Sequence, residues 1–331
     1  MFENGEVLVQ KFGGSSMGSI ERIKRVAQRI AQKANKGKRM VVVVSAMGDT
    51  TDNLISLMNQ ITVTPSRREL DCVMATGEMI SSSLAASALS SLGIRAKSFN
   101  AFNLQLFSKF NGKDYDITNI GQINNLCEFL EPTGSVAVVA GFQGITDDGD
   151  LTTLGRGGSD LTAVVLAKWL GQKVCEKYTD EDGIYTADPR LIPDARKIWH
   201  LDYDEMQELA LSGNGILHPR AISTARNSEI RIHVRSSFSN EEGSVVGPDG
   251  DNSIGVKSIT VKKQDNKSII TLVGCGLRNN QNIVVPFKEA VKLFEIDNIT
   301  HSGIKLSFTV NAVNYEKVLS ELHKVLINTI C

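Results

Sequence analysis

Residues 135–163 read SVAVVAGFQGITDDGDLTTLGRGGSDLTA, and this stretch decides the fold. SVAVVA (135–140) is a short apolar run of the kind that forms a fully buried strand. From Leu161 the chain reads LTAVVLAKWLG, a helix that Ser159 or Asp160 should cap and Gly171 should close. Between them lie six glycines, two adjacent threonines, Arg156 and a set of aspartates. Glycine lets a backbone approach a ligand closely, and the free N–H groups of a helix start attract anions. An arginine grips a carboxylate or phosphate with two parallel hydrogen bonds. Standing alone, the same residues would also suit a surface loop. The stretch matches neither GxxxxGK[ST] nor GxGxxG.

Three other stretches repeat the plan of an apolar strand running into small and polar residues. EVLVQ (6–10) leads into Lys11, Phe12, Gly13, Gly14, Ser15 and Ser16, then a helix whose apolar stripe is Ile20, Ile23, Val26 and Ile30. A lysine at a strand end before two glycines suits a phosphate: the ammonium offsets charge and the amides donate. A solvated lysine before a turn would read similarly. MVVVV (40–44) leads into SAMGDTTD (45–52), with a helix expected from Asn53 and its cap among Asp49 to Asp52. KVCEK (173–177) leads into YTDEDGIYTADPR (178–190). Its aromatics, acids and arginine could form an adenine slot and a metal-phosphate rim, or an acidic surface turn.

Residues 70–92 read as one long helix containing Thr76, Gly77 and Glu78. Gly77 costs such a helix roughly 1 kcal/mol relative to alanine, which suggests a close backbone approach. Glu78 beside it could bind an ammonium group or simply face solvent. Residues 94–116 suggest one or two strands and a loop, 120–130 a helix, and 230–234 a strand.

Buried strands alternating with helices through residues 1–240 predict a doubly wound, mainly parallel α/β sheet. Ligands of such sheets sit beyond the carboxyl ends of the strands, where all four polar loops fall. Four such loops at one edge predict a small-molecule site. Residues 241–254 are expected to be a linker, rich in Gly, Ser, Asp and Glu. Residues 255–331 change rhythm: strands at 258–263, 268–273, near Ile299 and at 305–310, with helices at 286–295 and 315–326. They predict a small α+β domain.

Bulk properties exclude other classes. A net charge of −1 gives no footprint for nucleic acid or an anionic membrane surface. No apolar run has the length of a membrane span, and MFENGEVLVQK lacks the pattern of a signal peptide. Cys72, Cys127, Cys175, Cys275 and Cys331 are scattered, which argues against a disulfide framework or zinc site and fits a reducing cytoplasm. The five histidines are dispersed, without HExxH.

KFGGSS, SAMGDTTDNL, ATGE, GFQG, TTLGRGGSD, YTDEDGIYTADPR and ILHPR, in this order and spacing, resemble the motifs of the aspartokinase family within the amino acid kinase superfamily. The resemblance implies that residues 1–240 form the catalytic domain, and that the chain phosphorylates the β-carboxylate of L-aspartate with ATP and Mg2+. It gives Lys11 the γ-phosphate and the attacking carboxylate, with Gly13, Gly14 and Ser15 alongside. Asp160 would orient Lys11. Thr51, Glu78, Arg156 and Ser159 would hold the substrate, Glu78 on its ammonium and Arg156 on its α-carboxylate. Thr179, Asp180, Tyr185 and Arg190 would form the nucleotide side, with no residue acting as a direct metal ligand. A homodimer is also implied. A catalytically impaired paralogue serving as a partner subunit, or a sibling kinase with another carboxylate substrate, remains the alternative. One departure stands out: the family pattern GAKVLHP places a lysine where this chain has Gly215.

The family usually carries two ACT units, one inserted in the other, with feedback amino acids between them. GCGLR and IKLSFTVNAVNYEKVLSELHKVL resemble the second unit, and 258–263 is placed to complete it as a permuted single unit. The glycine-turn pattern expected after GCGLR is altered to NNQNIVVPF.

Overall fold

The structure, a computed structural model, describes residues 2–250, 253–277 and 280–327. The chain divides into two compact units, Met1–Asp182 with Thr224–Glu241, and Gly183–Ser223 with Glu242–Cys331. Residues 183–223, read with the catalytic segment in the sequence, thus group with the tail.

The first unit is built on a parallel sheet whose strands run in the order Arg231–Ser236, Val174–Thr179, Val7–Phe12, Arg39–Val44, Val136–Ala140 and Ala96–Phe99. Its centre is the run Met40 to Val44, fully buried because helices cover both faces. Helix Ile20–Ala34 lays Ile23, Val26 and Ile30 onto that core beside Ala85 and Leu89 of helix Arg67–Ser91. Ile20, expected in the same stripe, is 44% exposed because it occupies the first helical position, before the helix closes on the sheet. Among the described helices, Arg67–Ser91 has the length and apolarity of a membrane span, yet its buried face includes Asp71, Glu78, Ser81 and Ser82.

Several expected boundaries move. The second helix begins at Thr50 rather than Asn53. Asp49 stands at its cap position without a side-chain bond, because Thr50 Oγ1 closes the turn by donating to the Met47 carbonyl at 2.6 Å. The span 94–116 holds strand Ala96–Phe99, the short helix Ala101–Leu104, strand Leu106–Phe110 and the start of Tyr115–Ile120. The helix expected from 120 begins at Ile123, since Ile120 still belongs to that strand. Inside the glycine-rich stretch, Gln143–Ile145 and Leu151–Thr153 pair as an antiparallel hairpin. With Leu106–Phe110 and Tyr115–Ile120 it makes a second sheet of four strands.

The second unit contains a four-stranded antiparallel sheet in the order Gly255–Lys263, Lys267–Cys275, Lys305–Asn311, Ile296–His301. The strand that precedes the rest in sequence lies at one edge, beside the next. Helices Gln281–Val291 and Tyr315–Leu326 complete a core of Ile270, Leu272, Phe287, Phe308 and Leu322, to which Ala187 and Ile192 contribute. The first helix starts five residues before the expected Pro286, because the Asn280 side chain accepts from Asn282 N at 3.0 Å and caps it there. The stretch expected as linker contains strand Ser244–Val246, parallel to His200–Leu201, with Val246 fully buried. Asp251 and Asn252 of that stretch, Arg278 of GCGLR, Asn279 of the altered turn and Cys331 lie outside the described residues.

Candidate active site

A cavity of about 800 Å³ opens at the carboxyl ends of the parallel strands of the first unit. Lys11, Gly14, Thr51, Glu78, Arg156, Ser159 and Asp160 all border it. Residues more than a hundred positions apart meet here because the parallel register brings each strand end to one edge.

The glycines explain how the elements come so close. A Cβ on Gly141 would lie 2.7 Å from Ser159 Cβ, so only glycine lets the strand end pass the helix start. Gly155 and Gly157 flank Arg156 with φ of +73° and +72°, the left-handed region that suits glycine. They hold Arg156 on a tight turn, exposed at the cavity mouth. A Cβ on Gly77 would lie 2.9 Å from Ala46 Cβ. That approach lets Glu78 Oε1 accept from Ala46 N at 3.0 Å.

Glu78 is 3% exposed, and its other oxygen, Oε2, has no hydrogen-bond partner among the described residues. Burial pushes its pKa up to about 7, opposed by the Ala46 N–H and more weakly by Lys11. Asp160 is 7% exposed and sits between two ammonium groups: Oδ1 is 2.7 Å from Lys11 Nζ and Oδ2 is 2.5 Å from Lys177 Nζ. Burial alone would raise its carboxyl, but the two lysines outweigh it and hold it at about 2. Lys177 was not singled out in the sequence. Its place follows from register, Lys11 pairing with Lys177 across two strands, which a single segment does not reveal.

Helix Gly158–Trp169 corrects one expectation. Its cap residue is Gly157, with no side-chain cap bond, and Ser159 and Asp160 lie in the first turn. They do not cap because their side chains border the cavity, where Asp160 is drawn to the lysines. Asp71, also unremarked in the sequence, borders the cavity and accepts from Thr153 Oγ1 at 2.6 Å.

The remaining expected residues sit less centrally. Gly13 N donates to the Tyr178 carbonyl at 3.2 Å, tying that loop to the strand that ends in Thr179. Ser15 does not border the cavity, and its carbonyl accepts from Arg22 Nη1 at 2.6 Å. Thr179 Oγ1 donates to Asp180 Oδ1 at 2.9 Å at the same sheet edge. Tyr185 and Arg190 belong to the second unit. There Tyr185 lies in strand Ile184–Tyr185, and Arg190 forks onto Asp188, with Nε–Oδ1 and Nη2–Oδ2 both at 2.9 Å. Gly215, in that unit, has open space around its missing side chain.

Comparison with known proteins gives the family. The sequence profile of the amino acid kinase family matches residues 6–236. Aspartokinase 2 of Bacillus subtilis is 38% identical over 324 residues, covering 96% of this chain and 78% of that protein. The chain belongs to the aspartokinases. The aspartokinase of Geobacillus stearothermophilus is 48% identical over 240 residues, 72% of this chain, and the matched region spans 58% of that longer protein. The fold is that of the solved E. coli aspartokinase III, crystallised with aspartate and ADP: TM-score 0.83 at 21% identity, covering 97% of this chain and 100% of that one.

Proposed function

We propose that the chain is an ATP-dependent aspartate kinase that transfers the γ-phosphoryl group of ATP to the β-carboxylate of L-aspartate. The observation that carries this reading is the buried Glu78 carboxylate, one oxygen without a partner, in the same cavity as Arg156 and Lys11. An α-amino acid with an acidic side chain needs one anion for its ammonium and a cation for each carboxylate.

In this reading Glu78 takes the substrate ammonium, and Arg156 forks onto the α-carboxylate. Thr51 and Ser159 add hydrogen bonds. A β-carboxylate oxygen attacks the γ-phosphorus, the bond from phosphorus to the bridging oxygen breaks, and ADP leaves. The acceptor is already ionised, so no general base is needed. Catalysis is then positioning and charge stabilisation. Lys11 bridges the attacking oxygen and the phosphoryl group, held in place by Asp160. Gly13, Gly14 and Ser15 serve the phosphates, and Thr179, Asp180, Tyr185 and Arg190 the nucleotide.

Mg2+ supplies charge neutralisation on the phosphates. The described residues gather three possible metal ligands in one group, Asp202, Glu205 and Cys275, in the second unit. In this reading the ion arrives with the nucleotide, as Mg2+ usually does.

The proposal includes a cytoplasmic homodimer, with residues 1–240 catalytic, 241–254 a linker and 255–331 a single ACT-like unit. The test of the reaction is direct. With Mg-ATP and aspartate, hydroxylamine should trap the acyl phosphate as a hydroxamate, and glutamate should give far less. No hydroxamate from aspartate would instead favour a regulatory partner subunit.

A further inference from the structure

Glu78 stands on helix Arg67–Ser91, and Arg156 follows three residues after strand Leu151–Thr153 of the hairpin. Gln143 and Thr153 are register partners across that hairpin, so their side chains leave it on the same face. Both reach the helix. Gln143 Nε2 donates to the Ala75 carbonyl at 2.6 Å, and Thr153 Oγ1 donates to Asp71 Oδ1 at 2.6 Å. Asp71 and Ala75 lie about one helical turn apart. The hairpin is thus held at two points along the helix.

Asp71 lies seven residues before Glu78, two turns back on the same helix face. Asp71 and Thr153 are each 3% exposed, and both border the cavity with Glu78 and Arg156. The second oxygen of Asp71 is 3.6 Å from Arg67 Nε, one turn further back. A carboxylate is costly to bury, and an apolar residue would pack against the hairpin without that cost. What the carboxylate adds is direction. Apolar contact is non-directional and tolerates sliding, whereas a hydrogen bond fixes one alignment. Glu78 is already fixed at its own end by Ala46 N. The Asp71 bond aligns the hairpin with that fixed point.

We propose that Asp71 is a positioning residue for the amino-acid substrate: by holding Thr153, it sets the spacing between Glu78, which takes the ammonium, and Arg156, which takes the α-carboxylate. This inference rests on the kinase reading, and its test separates the two.

The full-length chain is compared with Asp71→Ala, Asp71→Asn, Thr153→Val and Thr153→Ser at a temperature where all are folded. The readouts are hydroxamate kinetics, affinity for Mg-AMP-PNP, affinity for aspartate in its presence, and melting temperature. A misplacement of about 1 Å costs about a hundredfold, so losing one of the two ties should cost about tenfold. Asp71→Ala and Thr153→Val should each weaken aspartate by about that factor, in KM and in affinity, with Mg-AMP-PNP affinity within about twofold. Asp71→Asn keeps an acceptor and Thr153→Ser keeps the hydroxyl, so both should recover most of the loss. The double variant Asp71→Ala with Thr153→Val should lose little more than either single one, because both remove the same bond. Aspartate affinity within about twofold of the parent in Asp71→Ala and Thr153→Val would overturn the proposal. So would equal losses for aspartate and AMP-PNP, or no recovery in Asp71→Asn and Thr153→Ser. If the parent makes no acyl phosphate but binds aspartate, and the variants lose and recover that affinity as described, the positioning stands and the reaction assignment falls. A parent that binds no aspartate would overturn both.

Discussion

Helices Gly158–Trp169 and Tyr203–Leu211 carry an acid at the same position, three residues after the cap, and use it in opposite ways. In the second, Asp202 accepts from Glu205 N at 2.6 Å and Glu205 Oε2 accepts from Asp202 N at 3.3 Å, a closed capping box. In the first, the cap is Gly157, which has no side chain, and the acid, Asp160, turns to Lys11 and Lys177. Both acids are buried, yet burial raises Glu205 while the two ammonium groups hold Asp160 at about 2. One helix start closes a capping box on itself, and its acid also accepts from Cys275 Sγ at 3.6 Å. The other leaves its first turn open to a cavity, where the strand ends deliver cations.

The strongest way to break this contrast is to remove the charges of the open site. Lys11→Ala should lower kcat by at least about a hundredfold, the scale for one lost electrostatic stabiliser. If kcat holds and only the KM for ATP rises, Lys11 binds without stabilising the transfer. Asp160→Asn should match that loss and also destabilise the fold by about 3–5 kcal/mol, since two buried ammonium groups lose their shared partner. Thermal unfolding monitored with kinetics would detect both, and an unchanged melting temperature would contradict the burial argument.

The contrast also marks what was legible in the sequence. The strands of the parallel sheet were readable because runs such as Met40 to Val44 have no polar residue, so burial on both faces leaves no other arrangement. Lys11, Glu78 and Arg156 stood out as charged residues within two positions of a glycine, and Asp160 as a possible helix cap that the family resemblance places beside Lys11. Lys177 did not, because its role depends on the strand beside it. The hairpin Gln143–Ile145 with Leu151–Thr153 was missed since three-residue strands carry almost no periodicity. The cap of the central helix was misread for a related reason. Ser159 and Asp160 are common caps, and local rules do not see a cavity that draws such side chains away.

Arg156→Lys tests the mouth of the open site. An ammonium does not reproduce the planar fork, so aspartate KM should rise about tenfold or more with the charge retained. An unchanged KM would remove Arg156 from the substrate site.

Glu78 offers a gentler probe through pH. Its folded pKa, about 7, lies above the ordinary 4.5 because of burial. The native state therefore holds a proton that the unfolded chain has released across that window. The resulting stabilisation of the ligand-free protein is present near pH 4.5 and is lost as pH rises towards about 7. Substrate binding has the opposite sign, since an ammonium needs the ionised form. Aspartate KM should rise as pH falls below 7, approaching about tenfold per unit. Glu78→Gln should flatten the stability profile between these limits, and an unaltered profile would mean that another group titrates there.

The smallest effect belongs to the closed helix start. Asp202→Ala removes the side-chain acceptor for Glu205 N but keeps the backbone N–H that Glu205 Oε2 receives. Losing such a cap costs about 1 kcal/mol. In a chain of this size that lowers the melting temperature by about 1–2 °C. Because this box closes on its own helix start, kcat and both KM values should stay within about twofold of the parent at a temperature where the variant is folded. A drop in kcat well beyond that, with the melting temperature barely changed, would mean that the capped acid of the second unit takes part in catalysis after all. The two helix starts would then differ in degree and not in kind.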